Sequence, residues 1–319
     1  MVGPGADPRA AEWPLTRPGR AALGAGMTSV SVPRQLWSLF EAVHAVTYFD
    51  PAARTAFEAA GLRGFWRGYF AGRSAPLGAV GAGPVTAAFF GFAPAMVARA
   101  LPEVWARVTP AAALAARAEG ARAALTGLLA GVPESQVDEA AELLSAAARA
   151  VDLPGRVLAA ANADLPWPAD PIGRLWHAAT ILREQRGDGH VAALLAAGVD
   201  GSESVVWRSV LDGGTLAARM QPARGWTDQQ WQAAAERLAG RGWIDTAGAA
   251  TTVARAAYAQ VETLTDELAA GPWRRLGADT TRRCARVLEP LAARAWAVLP
   301  ADNPIPLRPT PGGGSPGAG

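Results

Sequence analysis

The chain has 319 residues, half of them apolar, enough to bury the core of one large or two ordinary domains and too many for a disordered protein. A formal net charge of +2 gives no surplus of cations to attract nucleic acid or an acidic membrane. The single cysteine, Cys284, excludes an internal disulfide, and three scattered histidines exclude metal-ligand spacing. No apolar run has the length of a membrane span or the form of a secretory signal, so a cytoplasmic protein is expected.

In chain order, residues 1–31 are rich in Gly, Pro, Ala and Arg without apolar period and are expected to form a disordered leader, with Met27 as a candidate start. Leu36, Leu39, Phe40, Val43 and Val46 then recur at helical spacing after Pro33. Asp50-Pro51 supplies an N-cap with proline in the first turn, and Gly61 a C-terminal stop, so a helical hairpin is predicted. An aromatic stretch follows (Phe65, Trp66, Tyr69, Phe70), then a Gly/Pro turn region over Ala75–Pro84, then Phe89, Phe90 and Phe92. Helices are predicted at 94–107, 110–130 and 134–151. Prolines 154, 166, 168 and 171 mark the predicted domain boundary.

Beyond it the spacing predicts a helix ending at Gly187, a short helix over Val191–Ala197, another from Ser202, and one opened by Thr227 with Gln230 in capping-box register. Trp243-Ile244-Asp245 and Thr251-Thr252-Val253 flank Gly248 and read as two short strands before a last amphipathic helix through Ala257, Val261, Leu264 and Leu268. The expected fold is therefore mainly α: a helical domain over 32–165 and a MarR-like winged-helix domain over 166–303 with a two-stranded wing. Residues 304–319 repeat Pro and Gly and are expected to be a disordered tail.

Glu41, His44 and Tyr48 fall at i, i+3 and i+7, placing a carboxylate, an imidazole and a phenol on one helix face, suited to acid–base work or to orienting a polar ligand. The aromatic region, with Tyr69, is a candidate ligand wall, and Arg67 and Arg73 are its natural partners for an anionic group. His190, read as lying in the first turn of a helix, is expected to be less basic than usual through the helix dipole. His177 reads as a satisfied core residue beside Trp176, and Cys284 as a bland helical cysteine. No catalytic residue, metal site or cofactor motif is assigned.

The strings His44-Ala45-Val46-Thr47-Tyr48-Phe49, Gly68-Tyr69-Phe70-Ala71-Gly72-Arg73, and Leu182-Arg183-Glu184 through Arg186-Gly187-Asp188-Gly189-His190 resemble those of SalK-type, or SCO6745-like, helix-turn-helix proteins of actinobacteria, over about residues 33–300. Cationic side chains that are all arginine, and recurrent Ala runs, fit a GC-rich source. The resemblance implies two halves with a winged-helix portion in the second, and names no reaction. Gln229, Gln230 and Gln232 lie on the expected recognition helix, where they would read adenine edges. Yet residues 171–270 hold nine arginines against eleven carboxylates, net −2, so DNA is a partner that charge does not favour. The expectation is a small-molecule-binding protein, as a ligand-responsive regulator or, alternatively, as an enzyme of specialised metabolism with an inter-domain pocket.

Overall fold

A computed structural model describes residues 30–300; the expected tail and all but the end of the expected leader lie outside the described residues. Ser31, in extended conformation, accepts from the Arg34 amide and starts α1 (Val32–Phe49), whose apolar stripe from Leu36 to Val46 is buried. Asp50 accepts from the Ala52 amide and starts α2 (Pro51–Ala59). The aromatic stretch forms α3 (Phe65–Ser74), and the expected turn region contains a 3-10 turn over Ala75–Leu77 and the start of α4 (Ala82–Phe89). The helix expected over 94–107 is two pieces, α5 (Pro94–Ala98) and a 3-10 turn over Glu103–Ala106, because Pro102 between them has no amide to donate. Then come α6 (Pro110–Leu128), α7 (Glu134–Arg149) and α8 (Val157–Ala163).

The predicted break at Gly187 is absent. Residues Pro171–Ala196 form one helix of 26 residues, α9, that runs through the Gly187-Asp188-Gly189-His190 string. Gly189 is there for close approach: a Cβ on it would come within 2.5 Å of Arg156 Nη1 and 3.3 Å of Leu268 Cβ. Asp188 caps, but not its own helix. Its carboxylate accepts from the Ala159 amide at 3.0 Å, closing the start of α8, which has no capping side chain of its own.

The remaining helices are α10 (Gly201–Leu211), α11 (Ala217–Arg224), α12 (Asp228–Gly240), α13 (Thr252–Ala269), α14 (Gly271–Leu276) and α15 (Ala278–Val298). The Thr227–Gln230 capping box on α12 is present. The two-stranded wing is not: among the described residues there is no strand, only one antiparallel bridge between Ile244 and Ala250. The reason is local. Asp245 accepts from the Ala247 and Ala249 amides and folds the segment into a turn. Thr251 accepts from the Ala254 amide, so Thr252 and Val253 become the first turn of α13 instead of a strand. The MarR-like winged-helix expectation is thereby corrected to an all-helical arrangement.

Three cores hold these helices. The largest draws on α1, α6, α7, α9 and α15, with α9 contributing Leu175, Trp176, Ile181 and Leu182. The second gathers the aromatic residues Phe57, Phe70, Phe89 and Phe92 with Met96 and Leu101. A third packs α10, α12 and α13 around Trp207 and Leu238. Each large side chain so removed from water contributes on the order of 1.5–3 kcal/mol, and α9 links the first core, through Leu175 to Leu182, to the third, through Ala193 and Leu194.

Candidate functional site

The site is built where α1, α3 and α9 meet. Glu41 projects from α1 and accepts from Trp37 Nε1 at 2.8 Å, and Arg183 Nε of α9 lies 3.6 Å from its other oxygen. Arg73 of α3 grips Glu184 of α9 with both Nε and Nη2 at 2.9 Å, while its Nη1 donates to the Tyr69 hydroxyl at 3.2 Å. Arg183 Nη1 completes Glu184 at 2.8 Å. Burial alone would raise the Glu184 carboxyl; Arg183 and Arg73 outweigh it and hold the group well below the usual carboxylate range.

His44 and Tyr48 form the neutral part. Thr180 Oγ1 spends its only hydrogen on the Trp176 carbonyl at 2.9 Å, so at 3.0 Å it must accept from His44 Nδ1. That leaves His44 Nε2 bare, and the Tyr48 hydroxyl, 3.0 Å away, donates to it. The chain Tyr48–His44–Thr180–Trp176 therefore has one direction. Burial, with Arg183 nearby, lowers the His44 pKa well below its ordinary value, and burial raises the Tyr48 phenol, so both hold their neutral forms.

Tyr69 behaves in the opposite way. Burial pushes its phenol up, but Arg73, Arg224 and Arg183 together hold it below the usual range. Arg224, the last residue of α11, reaches this phenol and lies with its guanidinium 4.2 Å over the Phe92 ring. The Tyr69 ring packs 5.2 Å from Tyr48, 5.6 Å from Trp66 and 6.1 Å from Phe89. Three cations, Arg73 buried and Arg183 and Arg224 half-buried, thus face two carboxylates (Glu41, Glu184) around a pair of phenols. Above them a cleft of about 30 Å³, enough for one water, opens between Tyr48, Tyr69, Thr47, Phe57 and Phe65. Thr47 Oγ1, buried beside it, has no partner.

The other expected residues lie elsewhere. Arg67 is exposed and turns back to the Arg63 carbonyl. His190 bonds Thr265 of α13 at 3.0 Å, near Glu262. Its basicity is lowered, but by burial within α9 and not by a helix start. His177 is buried as expected, yet its Nε2 has no partner, so it is not satisfied. Cys284 is buried, and its thiol is pushed up to about 12. Gln229, Gln230 and Gln232 are exposed on α12; Gln230 is held by Thr227, and Gln232 donates to Glu236 at 3.2 Å. Thr180, Arg183, Glu184 and Arg224 join the site without a local sequence signal of their role: Arg183 and Glu184 lie in the Leu182–His190 string, whereas nothing local marks Arg224.

A sequence profile describing a helix-turn-helix family matches residues 33–300. The chain belongs to that family. No curated protein and no solved structure matches it. Within this helix-turn-helix protein, α11 and α12 are joined by Gly225-Trp226-Thr227, a short turn of the kind that gives such families their description. Gly225 takes the left-handed conformation there (φ 75°), and a Cβ on it would come within 2.4 Å of Met96. The turn is anchored on the second core: the Ala93 amide donates to the Arg224 carbonyl at 2.8 Å, and Trp226 Nε1 donates to the Gly91 carbonyl at 3.0 Å. No helix among the described residues is long and apolar enough to cross a membrane, and no group of His, Cys, Asp or Glu among them is placed to hold a metal ion.

Proposed function

We propose that this helix-turn-helix protein is a ligand-responsive DNA-binding regulator of the SalK type, with the Tyr48–Tyr69–Arg73 cluster as its small-molecule site. What carries the reading is Arg224. It ends the first helix of the helix-turn-helix pair, and its guanidinium belongs to the same group as Tyr69 and Arg73, so a small anionic ligand that widened the narrow cleft between the two tyrosines would act on the turn directly. The excess of three guanidinium groups over two carboxylates favours an anion there.

The DNA contact would be weak. Arg237 and Arg241 of α12 are both taken up by the N-terminal acids of α10, Arg237 with Asp200 at 2.7 Å and Glu203 at 2.9 Å, and Arg241 with Glu203 at 3.2 Å. Few cations then remain to release counterions from phosphate. The enzymatic alternative has less behind it, since the hydrogen bonds of His44 are both internal.

Selection from a random DNA pool, followed by mobility shift at several salt concentrations, tests this. Weak, salt-sensitive but sequence-selective binding that changes in Arg224→Met supports the reading. Absence of any DNA binding at about 50 mM salt, where electrostatic contacts are strongest, overturns it.

A further inference from the structure

A second cavity, across Trp176 from the cluster just described, has the features of a binding site. It measures about 480 Å³, within the ordinary range of small-molecule pockets, and lies between α6, the Leu165–Pro168 segment and the first turns of α9. Its walls are mostly apolar: Leu114, Ala115, Leu165, Pro166 and the Trp176 ring. Two polar side chains line it from inside the protein. Arg117 is 5% exposed and His177 4% exposed, and Arg117 Nε and His177 Nε2 are both buried with no hydrogen-bond partner.

The other two nitrogens of Arg117 are engaged by neutral oxygens, Nη1 with the Gly72 carbonyl and Nη2 with Asn162 Oδ1, each at 3.0 Å. No carboxylate among the described residues forms an ion pair with this guanidinium, which lies 5.3 Å from the Trp176 ring centre. A buried cation left without a counter-charge, beside a buried imidazole nitrogen left without a partner, is a costly arrangement unless something else completes it. Burial of the guanidinium lowers even its pKa, to about 10, and burial with Arg117 and Arg149 nearby lowers His177 to about 4. Around the opening, Glu119 and Arg122 pair with each other at 2.8 Å, and Asp170 is occupied as the cap of α9, so none of these neutralises Arg117.

We propose that this cavity binds a small organic acid, its carboxylate drawn to the uncompensated charge of Arg117 beside His177 and its apolar body against Trp176 and the proline-rich wall. The single uncompensated cation matches a single negative charge. A phosphate would place further charged oxygens against apolar walls. This site does not rest on the reading of the tyrosine cluster, and its test involves no DNA.

The chain's three histidines make the test direct, because their imidazole C2–H resonances can be assigned with His44→Gln, His177→Gln and His190→Gln variants. The full-length protein is titrated with phenylacetate and 4-methylpentanoate, with phenylacetamide as the uncharged control and inorganic phosphate as the competing anion. The expected result is a saturable shift of the His177 resonance by a carboxylate, an increase in its pKa on binding, and at least a tenfold weaker response to the amide. Arg117→Gln should remove the effect. Because that variant also loses bonds to Gly72 and Asn162, Ala118→Phe, which puts a ring across the cavity wall and leaves Arg117 in place, should weaken it strongly as well. Equal responses to acid and amide, a response to phosphate alone, silence of the His177 resonance throughout, or binding that Ala118→Phe leaves undiminished would each overturn the assignment.

Discussion

The indole of Trp176 lies flat against the imidazole of His44, ring centres 6.1 Å apart and planes 10° from parallel, and its Nε1 donates to the His44 carbonyl at 3.2 Å. The imidazole is thus fixed on its face as well as at both nitrogens. His44→Ala should therefore unfold more easily by about 2–4 kcal/mol, since it strands the Tyr48 hydroxyl and leaves a void. Tyr48→Phe, which removes a single donated bond, should lose only about 1 kcal/mol. Urea denaturation of both variants provides the measurement, and equal losses would argue against the directed chain.

Among the described residues, Glu184 is the only carboxylate that both Arg73 and Arg183 contact at hydrogen-bond distance. Glu184→Gln should cost about 3–5 kcal/mol because it leaves the buried Arg73 guanidinium without a counter-charge and the half-buried Arg183 short of one. The double change Arg73→Met with Glu184→Met should cost less than Glu184→Gln alone, a reversal of the usual additivity that a double-mutant comparison by denaturant unfolding would reveal.

Only three tyrosines are present, so ultraviolet titration of the phenolate can follow Tyr69. Arg224→Met removes one of the cations that hold this phenol below its ordinary range, and its titration should move upward. In Arg224→Met the Tyr48 phenol, already raised by burial, should still ionise later than Tyr69. An unchanged Tyr69 titration would place Arg224 outside the electrostatics of the site.

For pH, His177 supplies a defined window. Its folded pKa, about 4, lies below its ordinary 6.5, so between these values the unfolded chain binds more protons and stability falls as pH drops from about 6.5 toward 4. Asp188 pulls the other way in part of this range: its carboxyl is raised to about 6 by burial, so its share of stability falls as pH rises from about 4 to 6. Comparing wild type with His177→Gln in thermal melts from pH 7 to 4 cancels the Asp188 contribution, and the wild type should lose more stability on acidification.

The helix starts at Asp50 and Thr227 were legible because capping is a local transaction between a side chain and amides two or three residues away; the cap at Ser31 was not, since that residue ends the expected leader. The same rule misled at Thr251, where β-branched residues suggested a strand while the threonine hydroxyl was capping a helix. At 187–190 the glycines pointed to a turn, but the reason for Gly189 lies in Arg156 and Leu268, remote in sequence. The face of Glu41, His44 and Tyr48 could be read from spacing, as could Arg73 as a partner for charge. Arg117 could not, because its neighbours come from α3, α8 and α9 and no pattern within α6 announces an unpaired buried cation.

Because α9 is unbroken, Trp176, His177, Thr180, Glu184, Asp188 and His190 behave as teeth on one shaft. Inserting or deleting a single residue between 177 and 184 would turn everything beyond it by about 100° and slide it by about 1.5 Å. Glu184 would leave Arg73, Asp188 would leave the start of α8, and His190 would leave Thr265, all in one event. Length variation in this lineage should accordingly be found in the connections around the shaft, such as residues 212–216, and not within it.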